Sequence, residues 1–271
     1  MRYRKGSVAL STTRDYPLLR QVLHSGFITH RQLFEFLKLD YCASSRNAFN
    51  NRVLRLCRHG LLTRHDLPFA NHESIYAVTA VGASELAGRG EYCVPSAGTL
   101  GARGVHSGIH HSLELNEIHL ALKRTGALVY WMPEIEIRSR NDLTSSGYWK
   151  YYDAVVVVRL AGQDCKFALE YERTPKAARY YIDIRERIEQ EAAVADFLYL
   201  VSNPDLLRYV SEKLSYCKRS IYFGLARDFL HQTLALPVRR STAPASASLI
   251  SLLAQGKALQ STASLFPSIA V

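Results

Sequence analysis

The sequence has no CxxC pair. Its five cysteines, at positions 42, 57, 93, 165 and 217, are odd in number and widely spaced, so neither a disulfide framework nor a zinc finger is indicated. No apolar run reaches the ~18 residues of a membrane helix. The start, MRYRKGSVALSTTRDYP, has basic residues but no apolar core of signal-peptide length. A reducing, cytoplasmic setting without a membrane is the expectation. Acidic residues are also scarce: 24 Asp and Glu stand against 34 Lys and Arg, giving a net charge of +10 and a pI near 9.4. That balance favours polyanionic partners such as nucleic acid. What is plentiful is apolar material, 48% of the 271 residues, enough for one large globular domain or two ordinary ones.

The first ninety residues read as three helices and a hairpin. Leu18, Leu19, Val22 and Leu23 form a helical stripe that Ser25-Gly26 breaks. Thr29 then fits an N-cap with Gln32 in the capping-box position, and Leu33, Phe34 and Leu37 form the next apolar face. In the third helix, capped by Ser44 or Ser45, we expect Phe49, Val53, Leu54 and Cys57 to turn inward. Its other face carries Arg46, Asn47, Asn50, Asn51, Arg52, Arg55 and Arg58. A strand, a loop and the return strand SIYAVTA follow, the hairpin carrying Arg64, His65 and His72. This order resembles a winged helix, in which the third helix would enter the major groove of double-stranded DNA. A merely solvated Arg/Asn face, or a winged helix used for protein contacts, is the alternative. Residues 1–96 hold 13 Lys and Arg against 7 Asp and Glu, which supports DNA.

Residues 87–108 contain six glycines and Pro95, so the boundary is expected there: a winged helix over 1–90, a linker over 91–108, a second domain over 109–227 and a Ser/Ala-rich tail over 228–271. The second domain reads as helix, three strands, helix, strand, helix, strand: a mixed α/β arrangement rather than a doubly wound sheet. In it, ALVYWMPEIEIR is expected to be a strand with Glu134 and Glu136 on one side, and a long helix is expected from about Pro175 to Asp196.

Three acids stand beside apolar runs in YYDAVVVVRLAGQDCKFALEYERT. A turn near Gly162 sets residue 153 opposite about residue 171, so Asp153, Glu170 and Glu172 meet at one end of the hairpin. Three hard oxygen ligands there suit Mg2+ or Mn2+, which could activate water and neutralise a phosphodiester transition state. Each acid alone could equally be a solvated charge at a strand end. Arg173, Lys176 and Arg179 would line a DNA path beside them, although opposite charges three or four apart on the long helix also allow pairing within it.

Helix, three strands with Asp at the second, and acid-x-acid on the third resembles the PD-(D/E)XK, or restriction-endonuclease-like, nuclease core. More narrowly the chain resembles the plasmid replication-relaxation family, which includes mobilisation relaxases. The matching stretches are IYAVTAVGASEL, HHSLELNE, WMPE, YDA and LEYERT. The resemblance implies an α+β protein that nicks or cleaves DNA at a plasmid origin, with a divalent metal held by Asp153 and Glu170, and Glu117 as an auxiliary acid. Residue 172 is Glu where most such nucleases have Lys; Glu172 would then ligate a metal or accept a proton. His111 would serve as a proton shuttle, a phosphate contact or a helix cap. A homodimer, or a relaxosome with partner proteins, is the assembly implied. The rival reading is a DNA-binding regulator or replication factor whose nuclease-like domain is inactive. In the tail, ASLISLLAQGKAL is read as a short amphipathic helix docking on a partner, or as disorder.

Overall fold

The computed structural model describes residues 9–42, 45–66, 73–91, 105–145, 147–241 and 246–255, with the backbone alone at 105–107. Ser44, His72, most of the expected linker and residues 256–271 lie outside the described residues. Contacts divide the chain into two units, Met1–Leu120 and Ala121–Val271. The division falls inside a helix rather than in the expected 91–108 segment.

In the first unit, α1 (Asp15–Ser25) leads through β1 (Ile28–Thr29) into α2 (His30–Leu39), and α3 (Arg46–Arg58) precedes the hairpin strands β2 (Leu62–Asp66) and β3 (Ser74–Val78). The expected capping box is present: Gln32 N donates to Thr29 Oγ1 at 3.2 Å, and Thr29 N donates to Gln32 Oε1 at 3.1 Å. Ser45 caps α3. The three strands form a sheet of order β1-β3-β2, all antiparallel. After β3 the VGASEL segment forms a fourth helix, α4 (Ala80–Ala87). A Cβ at Gly82 would fall 2.2 Å from the Leu61 carbonyl oxygen, so only glycine lets α4 lie this close to the backbone. The core joins Leu18, Leu19, Val22, Leu33, Phe36 and Phe49 with their neighbours. One expectation about α3 fails: Phe49, Val53 and Leu56 face inward, while Leu54 is 46% exposed. The inward stripe follows the 4-then-3 spacing of a helix face. That stripe also draws Arg52, three residues beyond Phe49, towards the core. Finally, α5 (Val105–Arg124) contributes Ile109 and Leu120 to the apolar clusters of this unit.

The second unit is built on a seven-stranded mixed sheet of order β10-β9-β8-β7-β6-β5-β4. It begins with β4 (Leu128–Pro133), α6 (Glu134–Leu143), β5 (Ala154–Leu160) and β6 (Gln163–Glu172). The WMPEIEIR segment is therefore not one strand. Pro133 ends β4 and stands at the N-cap of α6, with Glu134 and Glu136 in its first turn, where negative charge meets the positive end of the helix dipole. The i,i+4 pairs Glu134–Arg138 and Glu136–Arg140 support the helix. Strands β5 and β6 are joined by a two-residue turn with positive φ at Ala161 (48°) and Gly162 (82°), the left-handed pair that a tight hairpin needs.

Beyond β6, α7 (Ala178–Gln190) carries the chain to β7 (Asp196–Val201), parallel to β6, and α8 (Pro204–Lys213) carries it to β8 (Ser220–Leu225), parallel to β7. Helix α7 is shorter than expected, because Pro175 precedes it and Glu191 takes an extended conformation at its end. Over its described part the tail is ordered, and the expected helix is present within it. After α9 (Ala226–Gln232) and a 3-10 turn, β9 (Pro237–Arg240) pairs with β8 and β10 (Ser246–Ser248) pairs with β9. Residues 249–255 are helical, with Leu249 and Leu253 buried in this chain. Three antiparallel strands followed by a helix and a parallel strand make an α+β domain consistent with a restriction-endonuclease-like fold.

Candidate acid centre and the basic face of the first unit

Strand register positions the acids. Ala154 pairs with Leu169 across β5 and β6, and continuing that register sets Asp153 opposite Glu170, one residue from the position expected. The difference comes from the turn, which holds two residues rather than centring on Gly162. Paired residues of neighbouring strands share a face, as do residues two apart on one strand. Asp153, Glu170 and Glu172 are therefore on one side of the sheet. Tyr199 of β7, paired with Glu170, joins them there.

This is the buried side: Glu170 is 6% and Glu172 3% exposed. A buried carboxylate requires compensation, and the two acids obtain it differently. The Lys150 ammonium pairs with Glu170 and lies 5.2 Å from the centre of the Tyr152 ring. Burial nevertheless pushes the Glu170 carboxyl up to about 7, against the downward pull of Lys150; the charge of Asp153 adds to the rise. Glu172 instead accepts from the Tyr181 hydroxyl on Oε1 and from Lys176 Nζ on Oε2 at 3.0 Å. Asp153 is oriented by the Tyr171 backbone N–H, which donates to Oδ2 at 2.7 Å. The Tyr199 hydroxyl is fully buried and has no hydrogen-bond partner among the described residues, and burial beside Glu170, Glu172 and Asp153 holds its ionisation well above the usual range.

These residues fit a divalent cation in part. Asp153 and Glu170 supply hard oxygen donors of the type Mg2+ or Mn2+ takes, and the Lys150 ammonium shows that a cation is accommodated beside Glu170. The orphaned Tyr199 hydroxyl is a polar atom that a water held between the carboxylates would satisfy. Glu172 does not fit, since Tyr181 and Lys176 take both its oxygens. Among the described residues no group of three or more His, Cys, Asp or Glu is arranged to hold a metal ion, so the expected three-acid site reduces to two.

The other expected residues divide similarly. Glu117 accepts from Arg31 at 2.5 Å and from Gln32 at 2.7 Å within the first unit, and His111 is half-buried on the same helix. Of the α3 face, Arg46, Asn47, Asn50, Asn51 and Arg58 are exposed. Arg46 lies 4.7 Å over the Phe34 ring, and Asn50 bonds His30 at 2.9 Å. Arg52 and Arg55 make internal ion pairs as well. Asp15, 1% exposed, meets Arg52 Nε at 3.3 Å and Arg55 Nη2 at 2.6 Å, so these two arginines hold α3 to α1. Arg64 is exposed and pairs with Asp66 at 3.0 Å. Arg173 is half-buried, and the exposed Arg179 stacks 5.1 Å over the Tyr180 ring. Lys150 was missed from sequence. Its one available signal is its place just before β5, two residues ahead of the buried Tyr152.

No protein-family model matches the chain, and no curated protein matches it. Among solved structures, that of restriction endonuclease FokI bound to DNA is similar at 12% identity with a TM-score of 0.26, covering 83% of this chain and 45% of that one. The chain thus spans less than half the length of that protein, and at such a TM-score the likeness has no bearing on activity.

Proposed function

We propose that the protein binds DNA through its first unit, read as a winged helix, and cleaves a phosphodiester bond with its second. The observation that carries this reading is Asp153 and Glu170 on one face of the sheet with Lys150 paired to Glu170. Bound between the two carboxylates, Mg2+ or Mn2+ would supply Lewis acidity towards a phosphate oxygen. The chain's own residues do the rest. The Tyr171 N–H fixes Asp153, and Lys150 holds Glu170 while placing a positive charge where negative charge develops on the phosphate. Lys150 thereby stands in for the lysine that position 172 lacks. In the first unit, Arg46, Asn47, Asn50 and Asn51 present donors to phosphates and base edges, with Arg64 on the hairpin. A plasmid-mobilisation setting is the finer form of this proposal and rests on the short stretches that resemble the replication-relaxation family.

A second reading has an observation of its own. Glu172 occupies the lysine position and is locked under Tyr181, which suits a DNA-binding regulator with an inactive nuclease-like domain. Supercoiled plasmid incubated with Mg2+ or Mn2+ separates the two. Relaxed or linear product from wild type, absent from Glu170→Ala and Lys150→Met, is the outcome expected. A clear gel shift with no product would establish the regulator.

A further inference from the structure

The bent run Tyr148-Trp149-Lys150-Tyr151-Tyr152, in which Tyr152 N donates to the Lys150 carbonyl at 3.1 Å, alternates between two environments. Lys150 and Tyr152 turn inward, Lys150 to Glu170 and Tyr152 to full burial. Trp149 and Tyr151 turn outward and stay 54% and 41% exposed. Large aromatic rings left in water are a cost that folding normally removes, and these two are not loose. Tyr148 is pinned by the Asn141 side chain, which accepts from its N–H at 2.7 Å and donates to its carbonyl at 2.8 Å. Trp149 N donates to the buried Glu191 at 3.0 Å, and its carbonyl accepts from Arg187 at 3.2 Å. The rings are thus presented from a fixed backbone, so little ordering entropy is lost when something covers them.

They line a cleft of about 420 Å³ with Asn141, Tyr148 and Arg187, a size within the usual range for small-ligand sites. The Arg138 guanidinium lies 4.5 Å over the Tyr151 ring, and Arg187 stands at the rim. Each guanidinium also pairs with an acid of its own helix, Arg138 with Glu134 and Arg187 with Asp183. Charge therefore attracts a polyanion only modestly here, and the exposed Trp149 and Tyr151 rings do the selecting. Flat rings interleaved with guanidinium planes match unpaired nucleobases, whose faces a duplex hides in its own stack.

We infer that Trp149 and Tyr151 form a stacking platform for single-stranded nucleic acid, one residue to either side of the lysine that holds Glu170. The inference rests on the nucleic-acid reading above and narrows it: the substrate of the second unit is a strand with unpaired bases next to the bond that is cut.

Both tryptophans, 131 and 149, belong to the second unit. In a full-length Trp131→Phe background Trp149 is thus the sole indole reporter, and the first unit contributes no signal. This protein is titrated in EDTA with an oligothymidylate, with a duplex of equal length and with inorganic polyphosphate. Quenching by the single strand, with little from the other two, is expected. Trp149→Ala and Tyr151→Ala, checked for unchanged melting, should each weaken single-strand binding by roughly tenfold, as loss of one stacked base does, and leave duplex binding unchanged. Equal quenching by duplex or polyphosphate, or wild-type single-strand affinity in both variants, overturns the platform. Mn2+ titration of the same protein separates this from the parent reading. Mn2+ binding without oligonucleotide quenching sinks the platform alone; quenching without Mn2+ binding sinks the cleavage reading and leaves the platform.

Discussion

The first unit buries Asp15 and the second buries Glu170, and each places basic side chains against the acid. Around Asp15 two arginines approach both oxygens, and the Ser11 N–H donates to Oδ2 at 2.7 Å. Around Glu170 there is one lysine, a neighbouring acid and the Tyr199 hydroxyl. The first arrangement joins two helices. Each leaves one buried polar atom without a hydrogen bond among the described residues, Asp15 Oδ1 in the first and the Tyr199 hydroxyl in the second; what marks the second is a carboxyl pushed up to about 7, a useful state for a chemical pair.

The sharpest way to break this contrast is Asp15→Ala. Arg52, only 11% exposed, would lose its counterion, and removing one partner of a buried pair costs about 3–5 kcal/mol. Thermal unfolding should show the first unit losing most of its stability. Lys150→Met should cost less, about 2 kcal/mol as for a charge-assisted hydrogen bond, and only where Glu170 is ionised. The sign follows from the carboxyl, which titrates at about 7 in the fold against 4.5 when unfolded. A raised carboxyl contributes its stability fully below pH 4.5 and loses it as pH rises through 7. Lys150 limits that loss only once the folded carboxyl ionises, so the variant's deficit should appear as pH rises through about 7 and vanish below. A deficit independent of pH would mean Lys150 acts through packing.

Smaller effects sharpen the division of α3 into inner and outer arginines. Arg46→Ala should leave melting within about 0.5 kcal/mol of wild type, as surface changes do. It should lower the slope of log affinity for duplex DNA against log salt by about one. Arg52→Ala should do the reverse, lowering melting while any folded fraction keeps the wild-type slope. Smallest in stability is Tyr199→Phe, expected within about 1 kcal/mol of wild type because the hydroxyl bonds to none of the described residues. If a water joins it to the carboxylates, Mn2+ affinity measured by calorimetry falls about tenfold, as for other groups that orient metal ligands. Unchanged affinity would leave that hydroxyl without a role.

Much of this was open to inspection in the sequence. Apolar periodicity marked the three N-terminal helices, and the β5–β6 hairpin was marked by two apolar runs around Ala161-Gly162. The acids followed within one residue, since strand alternation and turn length set register locally. What failed had other causes. EIEIR alternates like a strand, yet Pro133 before it and charges spaced i,i+4 make it a helix. Leu54 is apolar and on that ground alone belongs inward; the spacing of Phe49, Val53 and Leu56 settles the face, and with it the burial of Arg52. The tail was judged by composition, whereas Val238, Leu249 and Leu253 find their places only against distant strands. Lys150 is non-local in the same way: twenty residues separate it from Glu170, and only the folded sheet brings them together.

Strand β8 has an aromatic pair, Tyr222 and Phe223, that β9 covers by pairing with Arg240 and Arg239. On a ribosome, residues 237–240 are made after β7 and β8, so a growing chain carries that bonding edge open until those residues emerge. An open edge is a template for a neighbouring chain, and nascent chains crowded on one message supply such neighbours. A truncation after residue 227, where composition alone would end the domain, should therefore yield a chain that precipitates during expression rather than a minimal soluble domain.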